Sequence, residues 1–261
     1  MARPTGRAPR FFAPSLAGGL IELPDFEAHH ALKVLRLGVG DRVELFDGVG
    51  GLIEATLETA GRNQVICREQ AVLETAGGGG GSGGSLPGVV VAAAIPKGDA
   101  AAQMVDMLSQ VGAALWLPML TERSVALARG EKKLQKFERI AIESAKQSGR
   151  LHLMRIGEVT RFEQVLKHPT DVRRILTPPP PPEVEPEVAA TAKNELSGAG
   201  VPGGPGLPGA GVLLLVGPEG GFTEAEVAAA LAAGFEPWTV GRHVMRIETA
   251  AVVAAALAGV V

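Results

Sequence analysis

Near the start of the chain, apolar and polar side chains alternate in Arg42-Val43-Glu44-Leu45-Phe46 and in Gly51-Leu52-Ile53-Glu54-Ala55-Thr56-Leu57. A period of two puts the apolar residues of a strand on one face, so both stretches predict half-buried strands. Turn signals at Gly40-Asp41, Asp47-Gly48 and Gly61-Arg62-Asn63 separate them, and the region from Phe11 to Glu74 reads as a small β-barrel. Between Phe26 and Leu37 the spacing changes: Ala28, Ala31, Leu32 and Leu35 predict one short helix.

The second half of the chain has longer periods. Val89 to Ala94 is a continuous apolar run, as expected of a strand covered on both faces, and Leu115 to Leu120 is similar. Met104, Met107, Leu108 and Val111 recur at i, i+3, i+4, i+7 and predict a helix. A second helix over Glu131–Ser148 turns Leu134, Phe137, Ala141 and Ser144 inward and Lys132, Lys136, Arg139 and Glu143 outward. Further strands are predicted at 173–177, at 211–216 and near Trp238-Thr239-Val240, with helices over Glu224–Ala233 and at the Ala/Val-rich C-terminus. Alternating strands and helices imply an α/β domain with a largely parallel sheet. The glycine tract within residues 76–87 has no side chains to bury and predicts a tether. The organisation is therefore a barrel over 1–75, a linker over 76–87 and an α/β domain over 88–261, with a Pro/Gly-rich surface insertion over 178–211.

Composition narrows the class. The 261 residues are 46% hydrophobic and 20% charged, enough apolar side chain for a large core. One cysteine, Cys67, excludes an internal disulfide framework, and five scattered histidines offer no zinc cluster, so a reducing cytoplasm is expected. The N-terminal residues are not followed by a signal-peptide core, and no run reaches the ~20 apolar residues of a membrane span. A net charge of −3 argues against indiscriminate nucleic-acid binding, yet residues 121–155 carry nine Lys/Arg against four Glu and form a local basic window.

Two loops hold the candidate chemistry. Val216-Gly217-Pro218-Glu219-Gly220-Gly221-Phe222-Thr223 ends a buried strand and opens a helix, with Thr223 as N-cap and Glu226 at the capping-box position. Ligands bind at such turns on the carboxyl edge of parallel sheets, and the glycines leave the main chain open to close approach. The segment is neither a phosphate loop nor Gly-x-Gly-x-x-Gly. The second loop, Val240-Gly241-Arg242-His243-Val244-Met245-Arg246-Ile247-Glu248-Thr249-Ala250, also leads into a helix. Taken singly, each also reads as a tight connection or an ordinary capped helix.

Together, Gly-Pro-Glu-Gly-Gly-Phe and the later Gly-Arg-x-x-x-Arg-x-Glu-Thr-Ala resemble the ribosomal RNA uridine-N3 methyltransferases of the SPOUT superfamily, the RsmE family. Arg10-Phe11-Phe12, His29 to Leu37, Gly40-Asp41 through Gly48, Lys97-Gly98-Asp99, Thr121-Glu122-Arg123-Ser124 and Glu143 to Arg150 extend the likeness over most of the chain. Met107 and Gln110 stand where the family usually has Lys and Glu, and Met245 where it usually has Leu.

The resemblance implies a PUA-like barrel followed by a SPOUT α/β trefoil-knot domain. It implies a homodimer, with S-adenosylmethionine as methyl donor, no metal, and a uridine N3 of 16S ribosomal RNA in the small subunit as acceptor. Residue by residue, the cofactor would contact Leu176, Thr177, Val216, Gly217, Pro218, Glu219, Gly220, Val240, Gly241, Val244 and Met245. Arg246 would stabilise the developing uridine anion, and Glu219 would orient that arginine or accept a proton. RNA contacts are expected from Arg10, His30 and Arg36 in the barrel and from Arg123 and Arg150. Three other readings stay open: a SPOUT enzyme acting on transfer RNA, one acting on a ribose 2′-hydroxyl, and a non-catalytic RNA-binding assembly factor.

Overall fold

The computed structural model describes residues 8–61, 64–75, 88–124, 131–179 and 211–259, with the side chains of 131–133 outside that set. The linker, residues 76–87, and all of the 178–211 insertion except Pro178, Pro179 and Gly211 lie outside the described residues. The chain divides into two compact units, the first built from residues 1–84 and Ala145–Leu153, the second from 85–144 and 154–261.

The first unit is a five-stranded mixed sheet of β1 (Arg10–Phe12), β2 (Leu20–Glu22), β3 (Arg42–Phe46), β4 (Leu52–Ala60) and β5 (Val65–Glu74), in the order β1-β3-β4-β5-β2. Only β1 and β3 run parallel. Among the described residues the pairing runs from β1 through β3, β4 and β5 to β2, and these are the strands of the predicted small β-domain. Register shifts between β4 and β5 mark bulges, which increase its twist. The alternation in β3 and β4 places Val43, Leu45, Ile53, Ala55 and Leu57 in a core with Phe11, Val65 and Cys67. The predicted helix is present but irregular: α1 (Asp25–His29) continues as a π-helical turn, His30–Val34. The wider turn breaks the 3.6-residue stripe, so Ala28 and Ala31 are buried while Leu35 is exposed.

Residues 145–153, predicted to belong to the α/β domain, complete this unit. Ala145, Leu151 and Leu153 pack with Phe46 and Leu52. The fully buried Glu27 accepts hydrogen bonds from the Phe12 amide at 2.9 Å and from the Lys146 ammonium at 2.8 Å. Lys146 also lies 5.5 Å over the Phe11 ring.

In the second unit, β6 (Val89–Ala94), β7 (Leu115–Leu120), β8 (Arg155–Ile156), β10 (Val172–Leu176), β11 (Val212–Val216) and β12 (Glu236–Trp238) form a parallel sheet in the order β12-β10-β11-β6-β7-β8, with β9 (Thr160–Arg161) also paired to β7. Every residue of β6 and β11 is buried. Their alternate side chains serve two cores. Val212, Leu214 and Val216 join Met104 and Leu108 of α2 (Ala100–Gln110), Phe137 and Ala141 of α3 (Glu131–Ser148) and Ala251 and Ala254 of α6 (Ile247–Gly259). Leu213 and Leu215 join Phe162 and Val165 of α4 (Phe162–Val165) and Ala230 of α5 (Glu224–Ala232). The predicted strand near residues 238–240 lies earlier, because β12 pairs with β10 only as far as Leu176 opposite Trp238; Thr239 and Val240 open the following loop. Among the described residues no helix is long and apolar enough to cross a membrane.

Candidate active site

Because β12, β10 and β11 are parallel neighbours, the loops at their carboxyl ends emerge side by side. Those after β10 (176–179), β11 (216–222) and β12 (240–247) surround one cavity of about 670 Å³, within the range of pockets that enclose a nucleoside-sized ligand. The loops are tied to one another. The Thr177 amide donates to the Trp238 carbonyl at 3.0 Å, and the Thr177 and Thr239 hydroxyls are 3.1 Å apart.

The glycine loop owes its shape to specific close approaches. The Gly221 amide donates to the Pro218 carbonyl at 2.8 Å, closing a β-turn, and Gly221 takes φ +68°, a left-handed conformation that suits glycine. A Cβ on Gly217 would lie 3.1 Å from the Phe222 ring, so a side chain there would press that ring outward by a few tenths of an ångström. Beyond the turn, Thr223 and Glu226 form the expected capping box at the start of α5.

Ten of the eleven sequence-predicted cofactor residues line the cavity: Leu176, Thr177, Val216, Gly217, Pro218, Glu219, Gly220, Val240, Val244 and Met245. Gly241 does not. It takes φ +96° at the start of the third loop, a left-handed conformation that suits glycine. Arg246 and Glu219, the predicted catalytic pair, are both exposed on the cavity wall, and among the described residues neither side chain has a hydrogen-bond partner. His243 joins them. The cavity is also lined by Gly221, Phe222, Ile247 and Ala250, which lie within the two loops that the sequence singled out, and by Pro178, Pro179 and Val227, which do not.

The residues predicted to contact RNA divide. Arg36 is exposed, at φ +54°. His30 is partly exposed, edge-on to Phe11, with Nδ1 3.3 Å from the Lys146 nitrogen. Arg150 is half-buried, and burial lowers the pKa of its guanidinium. Arg10 is only 9% exposed and is held inside the first unit: it donates to Glu44 at 2.7 and 2.9 Å and to the Gly149 carbonyl at 3.0 Å. That pairing makes Arg10 a brace between β1 and β3. Arg123 lies on the cavity wall, with Nη1 donating to the Gly220 carbonyl at 2.7 Å.

The cavity suits S-adenosylmethionine: Leu176, Val216, Val240 and Ile247 provide apolar walls for an adenine, Gly217 and Gly220 expose main chain to its polar edge, and charged groups of both signs lie around the cavity.

Comparison with known proteins agrees. The RNA methyltransferase domain family matches residues 85–259, and the RNA methyltransferase PUA domain family matches residues 23–70. Ribosomal RNA small subunit methyltransferase E of Synechocystis sp. is 31% identical over 236 residues, which cover 90% of this chain and 71% of that one. The enzyme of the same name from Bacillus subtilis is 28% identical over 92% of both chains. Among solved structures, a methyltransferase from Legionella pneumophila in complex with S-adenosylmethionine aligns with a TM-score of 0.77 at 27% identity, covering 97% of both chains. Ribosomal RNA small subunit methyltransferase E from Neisseria gonorrhoeae, bound to S-adenosylmethionine, aligns at 0.75 and 26% identity over 96% of both. With its PUA-like sheet, its SPOUT-type parallel sheet and this loop cluster, the chain belongs to the RsmE family of RNA methyltransferases.

Proposed function

We propose that the protein methylates N3 of a uridine in the 16S ribosomal RNA of the small subunit, taking the methyl group from S-adenosylmethionine, in the cytoplasm and as a homodimer. The observation that carries this reading is the convergence of three strand-end loops on one apolar-walled cavity bordered by Arg246 and Glu219.

S-adenosylmethionine supplies a sulfonium methyl that is already activated toward a nucleophile, so no metal is invoked. The protein's task is to align the acceptor and to favour loss of the weakly acidic N3 proton. The five-donor fork of Arg246 suits a uridine carbonyl on which negative charge accumulates as the proton leaves. Glu219, on the facing loop, is the carboxylate placed either to take that proton or to orient Arg246. Its lack of a partner among the described residues favours such a role over one of holding the loop.

Dimerisation is supported by α6. From Ala250 to Gly259 the helix carries no polar side chain, yet Leu257 stays 41% exposed, and Val244 at the cavity is 79% exposed. Apolar surface of this kind suits burial against a second copy.

Mass spectrometry of nucleosides from small-subunit RNA treated with the protein and S-adenosylmethionine tests the activity. The expected product is 3-methyluridine. A 2′-O-methylated nucleoside with no base methylation would assign the protein to a different SPOUT reaction, and failure to bind S-adenosylmethionine in calorimetry would favour a non-catalytic assembly factor.

A further inference from the structure

Among the described residues of the second unit, Glu226 is the one buried carboxylate, and its two oxygens do different work. Oε2 accepts from the Thr223 amide at 2.9 Å and from the Thr223 hydroxyl at 3.4 Å, completing the capping box in which Thr223 Oγ1 accepts from the Glu226 amide at 3.2 Å. One side-chain oxygen is enough for that motif, which is why Gln serves in it as well as Glu. Oε1 instead accepts from the Glu122 amide at 2.9 Å, on the loop that follows β7.

That loop is closed by hydrogen bonds of its own. The Ser124 amide donates to the Thr121 carbonyl at 3.1 Å, and the Thr121 amide donates to Ser124 Oγ at 2.9 Å. Its next residue, Arg123, donates to the Gly220 carbonyl at 2.7 Å. The C-terminal half of the glycine loop is therefore held at two points by one carboxylate: directly at Thr223, and through Glu122 and Arg123 at Gly220. Gly220 and Gly221 have no side chains with which to fix their own peptide, so the Arg123 bond takes that role.

We propose that Glu226 is a positioning residue for the cofactor loop, acting through Arg123, and that the task of Arg123 is to hold the Gly220 carbonyl in place at the cavity wall. The inference rests on the reading of the cavity as the S-adenosylmethionine site.

Calorimetric titration of the full chain with S-adenosylmethionine and with its demethylated product tests it, using Glu226→Gln, Arg123→Ala and the double variant. Gln has one acceptor oxygen, so it can serve the Thr223 amide or the Glu122 amide, not both. Arg123→Ala cuts the link at its other end while leaving the cap intact, and its exposed position makes folding secure. Each single variant should weaken Kd about tenfold, the scale of one charge-assisted hydrogen bond, and the double variant should lose no more than the larger single. Arg123→Lys, which can still donate to one carbonyl, should restore most of the affinity. Folded single variants with wild-type Kd, or a double variant whose losses multiply to about a hundredfold, would overturn the link while leaving the cofactor reading intact. Absence of binding by the wild-type chain would overturn the cofactor reading and this inference with it.

Discussion

Truncating Arg246 separates chemistry from folding unusually well. The side chain is exposed on the cavity wall and has no partner among the described residues, so Arg246→Ala should change folding stability by no more than about 0.5 kcal/mol. It contributes to no apolar wall, so S-adenosylmethionine affinity should stay within about threefold of wild type. The rate should fall. Removing one preorganised donor from a developing oxyanion slows catalysis about 10²- to 10³-fold, and the exposure of this guanidinium to solvent argues for the lower end of that range. Single-turnover methylation of small-subunit RNA with pre-bound S-adenosylmethionine reads the chemical step without product release. Arg246→Lys should recover part of the rate, since it keeps the charge and loses the fork. A single-turnover rate equal to wild type would remove Arg246 from the reaction, and a large loss of cofactor affinity with the same rate would make it a binding residue.

Three further outcomes follow from the geometry. Lys146→Met should destabilise the protein by about 3–5 kcal/mol in denaturant unfolding, because it removes the ammonium held 2.8 Å from the fully buried Glu27 carboxylate; a loss under about 1 kcal/mol would show the pair to be dispensable. Gly221→Ala should cost about 1 kcal/mol from backbone strain at φ +68° and weaken cofactor binding with it, whereas unchanged stability and affinity would mean that the turn adapts freely. The Cys67 thiol is pushed up to about 12 by burial, so it stays protonated in the folded state while the unfolded thiol ionises near 9. Its contribution to stability is therefore undiminished below about pH 9 and declines as pH rises from there toward 12, and thiol reagents at pH 8 should label it only after denaturation; rapid labelling of the native protein would contradict its burial.

How much of this was legible in the sequence depended on the range of each interaction. The buried strands β6 and β11 announce themselves as uninterrupted apolar runs, and Thr223 with Glu226 fits a capping box whose partners are three residues apart. The two candidate loops could be named because both occur where a strand gives way to a helix. The two-residue strands β8 and β9 are too short to show any period. The π-helical turn at His30–Val34 is invisible to a reading that assumes 3.6 residues per turn. Distance along the chain hid the rest. Arg10 reads as a surface cation until Glu44 and Gly149 are seen around it, and the bond from Arg123 to the Gly220 carbonyl, 97 residues away, has no signature in the spacing. Spacing reports local neighbours, and a side chain whose partner lies on another strand leaves no periodic trace.

The composition of the first unit bears on how the chain is made. An N-terminal domain usually folds as soon as its own sequence has left the ribosome. Here Phe46 and Leu52 would still lack Ala145, Leu151 and Leu153 when synthesis reaches Gly84, and Glu27 would still lack Lys146. The core over residues 11–67 is complete by then, whereas the face around Phe46 and Leu52 waits until residues 145–153 have been translated, and a fragment ending at the glycine tract would emerge with that greasy edge uncapped and Glu27 without its ammonium partner. Supplying residues 145–153 as a separate peptide is the direct way to ask whether such a fragment can be completed from outside.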